Sequence, residues 1–338
     1  SGRRALPLGH EPFSYIMDLT AIYAPVQDDL DLLHALLERE LAANDPFVSE
    51  LVRHVLSTRG KMVRPALVCL SAGASGGAGE SRLHLAAAVE LIHVASLIHD
   101  DIIDQSEVRR GVSTVNVQWG NQIAVLLGDY LFAKAFDLLS RIRHPDVAPT
   151  LAVATVKMSQ AEIIQIKFGQ EPHGDEHTYF EIIAGKTAHL ISAACRAGGL
   201  VAGNSAAAER LGEFGFHWGM AFQITDDALD LTSREDTLGK PIHSDIPSGK
   251  VTLPVIRALA EASAVDRTRL LGLLASGARD GDRDEIQRLL VRYGGIDYAL
   301  DIAGRYSRQA AAALAPLAPG LAKDSLLALT EFVVVRSR

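Results

Sequence analysis

Apolar residues recur at helical spacing along nearly the whole chain. Leu30, Leu33, Ala35, Leu36, Leu37 and Leu41 form an early amphipathic run, since positions three and four apart share one helix face. Comparable runs span 46–58, 65–74, 81–105, 117–140, 149–169, 176–198, 205–231, 250–262, 283–293, 296–314 and 321–336. Period-two alternation, the mark of a half-buried strand, is absent. The pattern predicts an all-α fold of ten or more helices. Punctuation by glycine, proline and asparagine falls at 73–79, Pro145, 172–174, 198–204 and 239–249. Pro65 is expected as the first residue of its helix, where a missing N–H costs nothing. No linker or repeat divides the chain, so residues 21–338 read as one all-α domain behind a loose arm over 1–20.

Composition narrows the function classes. Of 338 residues, 48% are hydrophobic and 22% charged, which excludes a disordered chain. The net charge of −8 argues against a nucleic-acid partner, because phosphate binding needs a basic face. Two cysteines, Cys69 and Cys195, make no disulfide framework and fit a reducing, cytoplasmic location. The most apolar stretch, 83–98, is interrupted by His84, Glu90 and His93. No integral membrane segment is therefore expected, and the N-terminal residues do not read as a signal peptide.

Two segments carry candidate chemistry. His99-Asp100-Asp101-Ile102-Ile103-Asp104 and Thr225-Asp226-Asp227-Ala228-Leu229-Asp230 both have the spacing D-D-x-x-D within apolar helical runs. Residues i and i+4 lie one turn apart on one face, so Asp100 repels Asp104 and Asp226 repels Asp230. Such pairs among Ile, Leu and Ala cost free energy unless a cation neutralises them. Oxygen ligands on one face suit Mg²⁺, which takes one or two carboxylates and completes its shell with water and substrate phosphate. A solvated acidic face would account for one such motif more readily than for two.

Basic residues beside glycines complement the acidic ones: Gly60-Lys61 with Arg64-Pro65, Arg109-Arg110-Gly111, Gly185-Lys186-Thr187, Gly239-Lys240 and Gly249-Lys250. Arginine grips phosphate oxygens with two hydrogen bonds and lysine supplies a point charge. Singly, each is an ordinary surface charge. Collectively, with carboxylates and Mg²⁺, they suit a diphosphate held between two helices.

At these residues the chain resembles the all-trans polyprenyl diphosphate synthases. The likeness runs over about 50–260, through the segments above together with Glu90-Leu91-Ile92-His93, Gly128-Asp129-Tyr130-Leu131, Phe222-Gln223 and Val251-Thr252-Leu253-Pro254. The resemblance implies an isoprenoid-synthase-type helical bundle around a deep central cavity, and a homodimer. It implies three Mg²⁺ ions joining an allylic diphosphate to the acidic motifs. Asp100, Asp104 and Asp226 would be the main ligands, with Asp101, Asp227 and Asp230 direct or through water. Arg109, Lys186, Thr187, Gln223, Lys240 and Lys250 would hold the allylic diphosphate. Lys61, Arg64, His93 and Arg110 would hold isopentenyl diphosphate. The acidic residues of both motifs, Asp100, Asp101, Asp104, Asp226 and Asp227, and Lys186 would then be catalytic. Three departures from the family pattern are Arg59 where a glycine commonly precedes Gly60, Met62-Val63 in place of a more basic stretch, and Ala161-Glu162-Ile163-Ile164-Gln165 in place of Gly-Glu-x-x-Gln.

The implied reaction ionises the allylic diphosphate, adds the isopentenyl double bond to the cation and loses a proton. Ala95 and Ser96 stand one turn before Asp100, where short-chain relatives carry an aromatic floor, and Ile92 continues that wall. Small side chains there leave the cavity open, and each helical turn adds about 5.4 Å of depth. The expected product is longer than C15, with a C20 diphosphate as the alternative. Such an apolar product would leave through transient membrane contact. A class I terpene cyclase is disfavoured by the all-Asp second motif and the basic isopentenyl diphosphate set. A non-catalytic synthase subunit is disfavoured by the presence of both motifs. His173, Asp175, Glu176 and His177 read as a solvated turn and not as a metal cluster.

Overall fold

The computed structural model describes residues 19–57, 60–77, 79–169, 175–232, 251–276 and 282–335. Lys240 and Lys250 lie outside them. A first turn α1 (Leu19–Tyr23) leads through a 3₁₀ turn into α2 (Gln27–Glu40), α3 (Pro46–Ser57), α4 (Val63–Ala74) and α5 (Ser81–Ile103). A small hairpin, β1 (Val108–Arg109) and β2 (Val112–Ser113), precedes α6 (Val115–Trp119), α7 (Asn121–Ser140) and α8 (Val147–Phe168). Then come α9 (Glu176–Ile183), a π-helical turn (Ala184–Ala188), α10 (His189–Val201) and α11 (Ser205–Thr232). The C-terminal part is α12 (Leu253–Glu261), α13 (Ala264–Ala275), α14 (Asp282–Arg292), α15 (Gly295–Leu314) and α16 (Leu321–Val335).

The centre is built from long helices. α5 packs on α4 and α7, and α11 packs on α10 and α15. The main apolar cluster joins Leu67, Leu85, Ile92, Leu131, Leu151, Leu190, Phe214 and Trp218, all essentially inaccessible. Close approach needs small residues. A Cβ on Gly215 would stand 2.8 Å from the Ile191 carbonyl oxygen of α10, so α11 and α10 meet backbone to backbone there. α5 has the length and apolarity to cross a membrane, yet its residues 85–92 are buried against neighbouring helices. Burial in the core explains that composition.

Several boundaries differ from the sequence expectation. α4 begins at Val63, so Pro65 is its third residue; the first four N–H groups of a helix lack intrahelical partners, so proline is tolerated there too. The run 117–140 is two helices, parted at Gly120 with φ +83°, a backbone conformation that disfavours side chains. The stretch around Arg109, which falls between the helical runs 81–105 and 117–140, is a hairpin with register Val108↔Ser113 and Arg109↔Val112. α13 escaped the periodicity reading because it buries only Leu270. Asp175 caps α9 by accepting from the Thr178 N–H at 2.9 Å, and His177 pairs with Glu181 one turn on, so these residues serve a helix start.

Candidate active site

Both acidic motifs stand at the C-terminal ends of their helices. Asp100 and Asp101 lie in the last turn of α5 and Asp104 is its C-cap. Asp226, Asp227 and Asp230 fall in the last two turns of α11. Helix C-termini already carry partial negative charge and favour cations. Six carboxylates at two such ends are misplaced for helix stability and well placed for cation binding.

The first motif divides by role. Asp100 is pushed up to about 6 by burial and by the neighbouring carboxylates Glu162 and Asp104, against the pull of Lys186. Crowded, partly buried negative charge of this kind fits a divalent cation. Asp101 is buried and engaged within the protein. Arg109 donates to it through Nε at 2.8 Å and pairs with it through Nη2 at 2.7 Å.

The second motif repeats the division. Asp227, 6% exposed, accepts from Tyr179 Oη at 2.6 Å and from Gln223 Nε2 at 2.8 Å. Gln223 Oε1 in turn accepts from Thr187 Oγ1 at 2.8 Å. Asp226 acts on the charge of Arg64, which burial lowers to about 10 while Glu90 and Asp226 raise it.

The π-helical turn joins the two motifs. Lys186 Nζ lies 2.5 Å from Glu162 and 3.8 Å from Asp100 of α5, while Thr187 reaches Gln223 of α11. π turns concentrate at functional sites. This one fits because Gly185 has no side chain: a Cβ there would lie 2.3 Å from the Ala161 Cβ of α8.

The other basic residues gather beyond Arg109. Burial and the positive charges of Arg64, Arg110 and Arg109 hold His93 well below the usual imidazole range, so it is neutral at pH 7. Glu90 is buried and is pushed up by burial, an effect offset by Arg64 and Arg110. A cleft beside them is lined by Gly60, Glu90, Val94, Ile98, Asp101, Arg109 and Arg110. Lys61, in the turn before α4, is exposed.

The structure joins several of the expected residues in protein contacts: Asp101 is paired with Arg109, and Asp227 is hydrogen-bonded to Gln223, which accepts from Thr187. Among the described residues no three Asp, Glu, His or Cys side chains form a ready cluster for a metal ion. A Mg²⁺ site here needs substrate oxygens to complete it. Ala95 and Ile92 have no accessible surface, so of the expected wall only half-buried Ser96 meets open space. Glu162, Tyr179, Glu90 and His54 were not expected as site residues.

Residues 45–291 match the polyprenyl synthetase family. A short chain isoprenyl diphosphate synthase from Methanothermobacter thermautotrophicus is 41% identical over 290 residues, covering 84% of this chain and 88% of that protein. An all-trans-nonaprenyl-diphosphate synthase (geranyl-diphosphate specific) from Rhodobacter capsulatus is 34% identical, covering 93% of this chain and 97% of its own. The crystal structure of a polyprenyl synthase from Caulobacter crescentus, complexed with calcium and isoprenyl diphosphate, shares 31% identity with a TM-score of 0.89, covering 95% of this chain and 98% of that one. The bundle thus has the isoprenoid-synthase fold, the family's chemistry is Mg²⁺-dependent, and the chain belongs to the polyprenyl synthetase family of trans-prenyltransferases, which build linear polyprenyl diphosphates.

Proposed function

We propose that this chain condenses isopentenyl diphosphate with an allylic diphosphate between α5 and α11, giving a linear product longer than C15. The observation that carries the reading is the placement of Lys186 and Thr187. Adjacent in sequence, they address one acidic helix each, so a single leaving group between the helices meets both motifs.

Asp100, Asp104, Asp226 and Asp230 are the residues that would hold Mg²⁺, three ions with substrate bound. The metal's contribution is to neutralise charge on the departing diphosphate. Asp101 and Asp227 position their helix ends through Arg109 and Tyr179. Lys186 supplies a fixed cation to the same leaving group, joined by Lys240 and Lys250. Lys61, Arg64, His93 and Arg110 hold isopentenyl diphosphate, with neutral His93 as a hydrogen-bonding partner.

The relatives include short-chain and nonaprenyl enzymes, so product length rests on the wall. Ser96 is small, and half-buried Phe132 of α7 stands nearby in the fold, its ring centroid 6.0 Å from that of His99, three residues on from Ser96. The linked apolar clusters, which share Tyr306 and Val251, support one domain over 21–338. A homodimer is supported by the apolar residues exposed on α7 and α8, among them Val125, Leu126, Phe136, Val153, Val156 and Ile163. The buried free thiols Cys69 and Cys195 support the cytoplasmic location.

The test is product analysis. Purified protein, Mg²⁺, labelled isopentenyl diphosphate and C10, C15 or C20 allylic primers should release pyrophosphate. After dephosphorylation, a linear alcohol longer than C15 is expected. A sole C15 product would overturn the length, and a cyclic hydrocarbon would overturn the reaction class.

A further inference from the structure

The hairpin that carries Arg109 and Arg110 is short and tightly closed. Its register leaves a two-residue loop, Arg110–Gly111, with φ +53° and +77°. Two positive φ values define a type I′ turn, which normally takes Asn-Gly or Gly-Gly. An arginine in its first position is held in a sparsely populated conformation, and such conformations persist where surrounding contacts fix them.

Two contacts supply that seat. His54 of α3 donates from Nε2 to the Ser113 carbonyl at 3.0 Å, and its ring meets Trp119 edge-on at 5.0 Å. Gly60 lies against the Arg110 guanidinium so closely that an added Cβ would stand 2.5 Å from Nη2 and 2.7 Å from both Cζ and Nη1. The glycine is a floor for the guanidinium plane.

We propose that Gly60 and His54 are positioning residues that aim Arg110 at the diphosphate of isopentenyl diphosphate. This rests on the proposed assignment of Arg110 to that substrate. What a methyl group at 60 strikes is the far end of a long, flexible side chain and not backbone. That same end is the group that binds. A substitution there should therefore separate binding from stability.

The experiment is steady-state kinetics on Gly60→Ala, His54→Leu, Arg110→Ala and the Gly60→Ala/Arg110→Ala pair, with melting curves. Gly60→Ala should raise KM for isopentenyl diphosphate about tenfold, the loss expected when a charge-assisted hydrogen bond is misaligned. KM for the allylic substrate, kcat and the melting temperature should stay within twofold or a degree or two of the parent. His54→Leu should move the same KM in the same direction. In the Arg110→Ala background, Gly60→Ala should add nothing. An unchanged KM in Gly60→Ala, with a raised KM in Arg110→Ala, overturns the seat and leaves the substrate assignment standing. An unchanged KM in Arg110→Ala overturns the assignment and the seat together. A lowered melting temperature with all KM values unchanged marks Gly60 as structural only and overturns the proposal.

Discussion

Lys186 and Thr187 are sequence neighbours that face different helices: Lys186 pairs with Glu162 of α8 and lies 3.8 Å from Asp100 of α5, and Thr187 donates to Gln223 of α11. In a regular α-helix successive side chains diverge by about 100°, and the π turn sets how that divergence spans the space between the two motifs. Lys186→Met keeps the stem and removes the charge. It should lower kcat about a hundredfold, in the range of a lost transition-state electrostatic contact, and raise KM for the allylic diphosphate. KM for isopentenyl diphosphate should hold. Initial-rate kinetics with each substrate varied in turn checks this; equal effects on both KM values would place Lys186 elsewhere.

The two leading aspartates of the first motif should respond oppositely to amidation. Asp100 titrates near 6 in the folded protein, above the usual carboxylate value near 3.8. Folding therefore takes up protons between those values, and the group subtracts stability as pH rises through them, by up to about 3 kcal/mol above pH 6. In metal chelator, Asp100→Asn should stabilise the protein at pH 7.5 by about 1–3 kcal/mol relative to pH 4 while abolishing turnover. Asp101→Asn breaks the buried pair with Arg109 and should destabilise by about 2 kcal/mol. Denaturant titrations of both variants at the two pH values decide it; a stability gain in Asp101→Asn would reverse the assignment.

Much of this could be read from the chain because the informative signals are local. Helical periodicity fixed the long helices, and the D-D-x-x-D spacing placed its carboxylates without any tertiary knowledge. Asp101 and Asp227 show the limit. The spacing sets them off the face that Asp100 and Asp226 share with Asp104 and Asp230, about 100° further round each helix, but does not say what they meet there. Asp101 meets Arg109 from the hairpin and Asp227 meets Tyr179 from α9, and neither neighbour follows from spacing alone. The π turn was illegible for a similar reason. It depends on Gly185 fitting against Ala161 of α8, a contact between segments 24 residues apart.

Tyr179 offers a clean measure of the positioning role given to Asp227. Its hydroxyl donates at 2.6 Å in a buried setting, and its ring packs on Phe180 at 5.5 Å. Tyr179→Phe deletes one oxygen and keeps the ring. Loss of such a supporting hydrogen bond should cost roughly tenfold in activity and raise the Mg²⁺ concentration needed for half-maximal rate. An Mg²⁺ titration of the rate, paired with calorimetric binding of Mg²⁺ and a non-reactive diphosphate, checks both effects. An unchanged Mg²⁺ requirement would mean that Asp227 holds its place without the tyrosine.

Product length should depend on Ser96 and not on Ala95. Ser96 is half-buried, and its hydroxyl donates to the His93 carbonyl at 2.8 Å within its own helix, so replacing it removes no tertiary contact. Ser96→Phe projects a ring into the space beside α7 and should shorten the product by one or more C5 units, with little change in melting temperature. Ala95 has no accessible surface and belongs to the main apolar cluster. Ala95→Phe would need room the core lacks, and overpacking of that kind costs about 1–3 kcal/mol. The expected outcome is a lower melting temperature before any clear change in chain length. Chromatography of dephosphorylated products beside melting curves separates the two residues. A shortened product from Ala95→Phe at full stability would return Ala95 to the wall and show that the packed interior opens there when substrate binds.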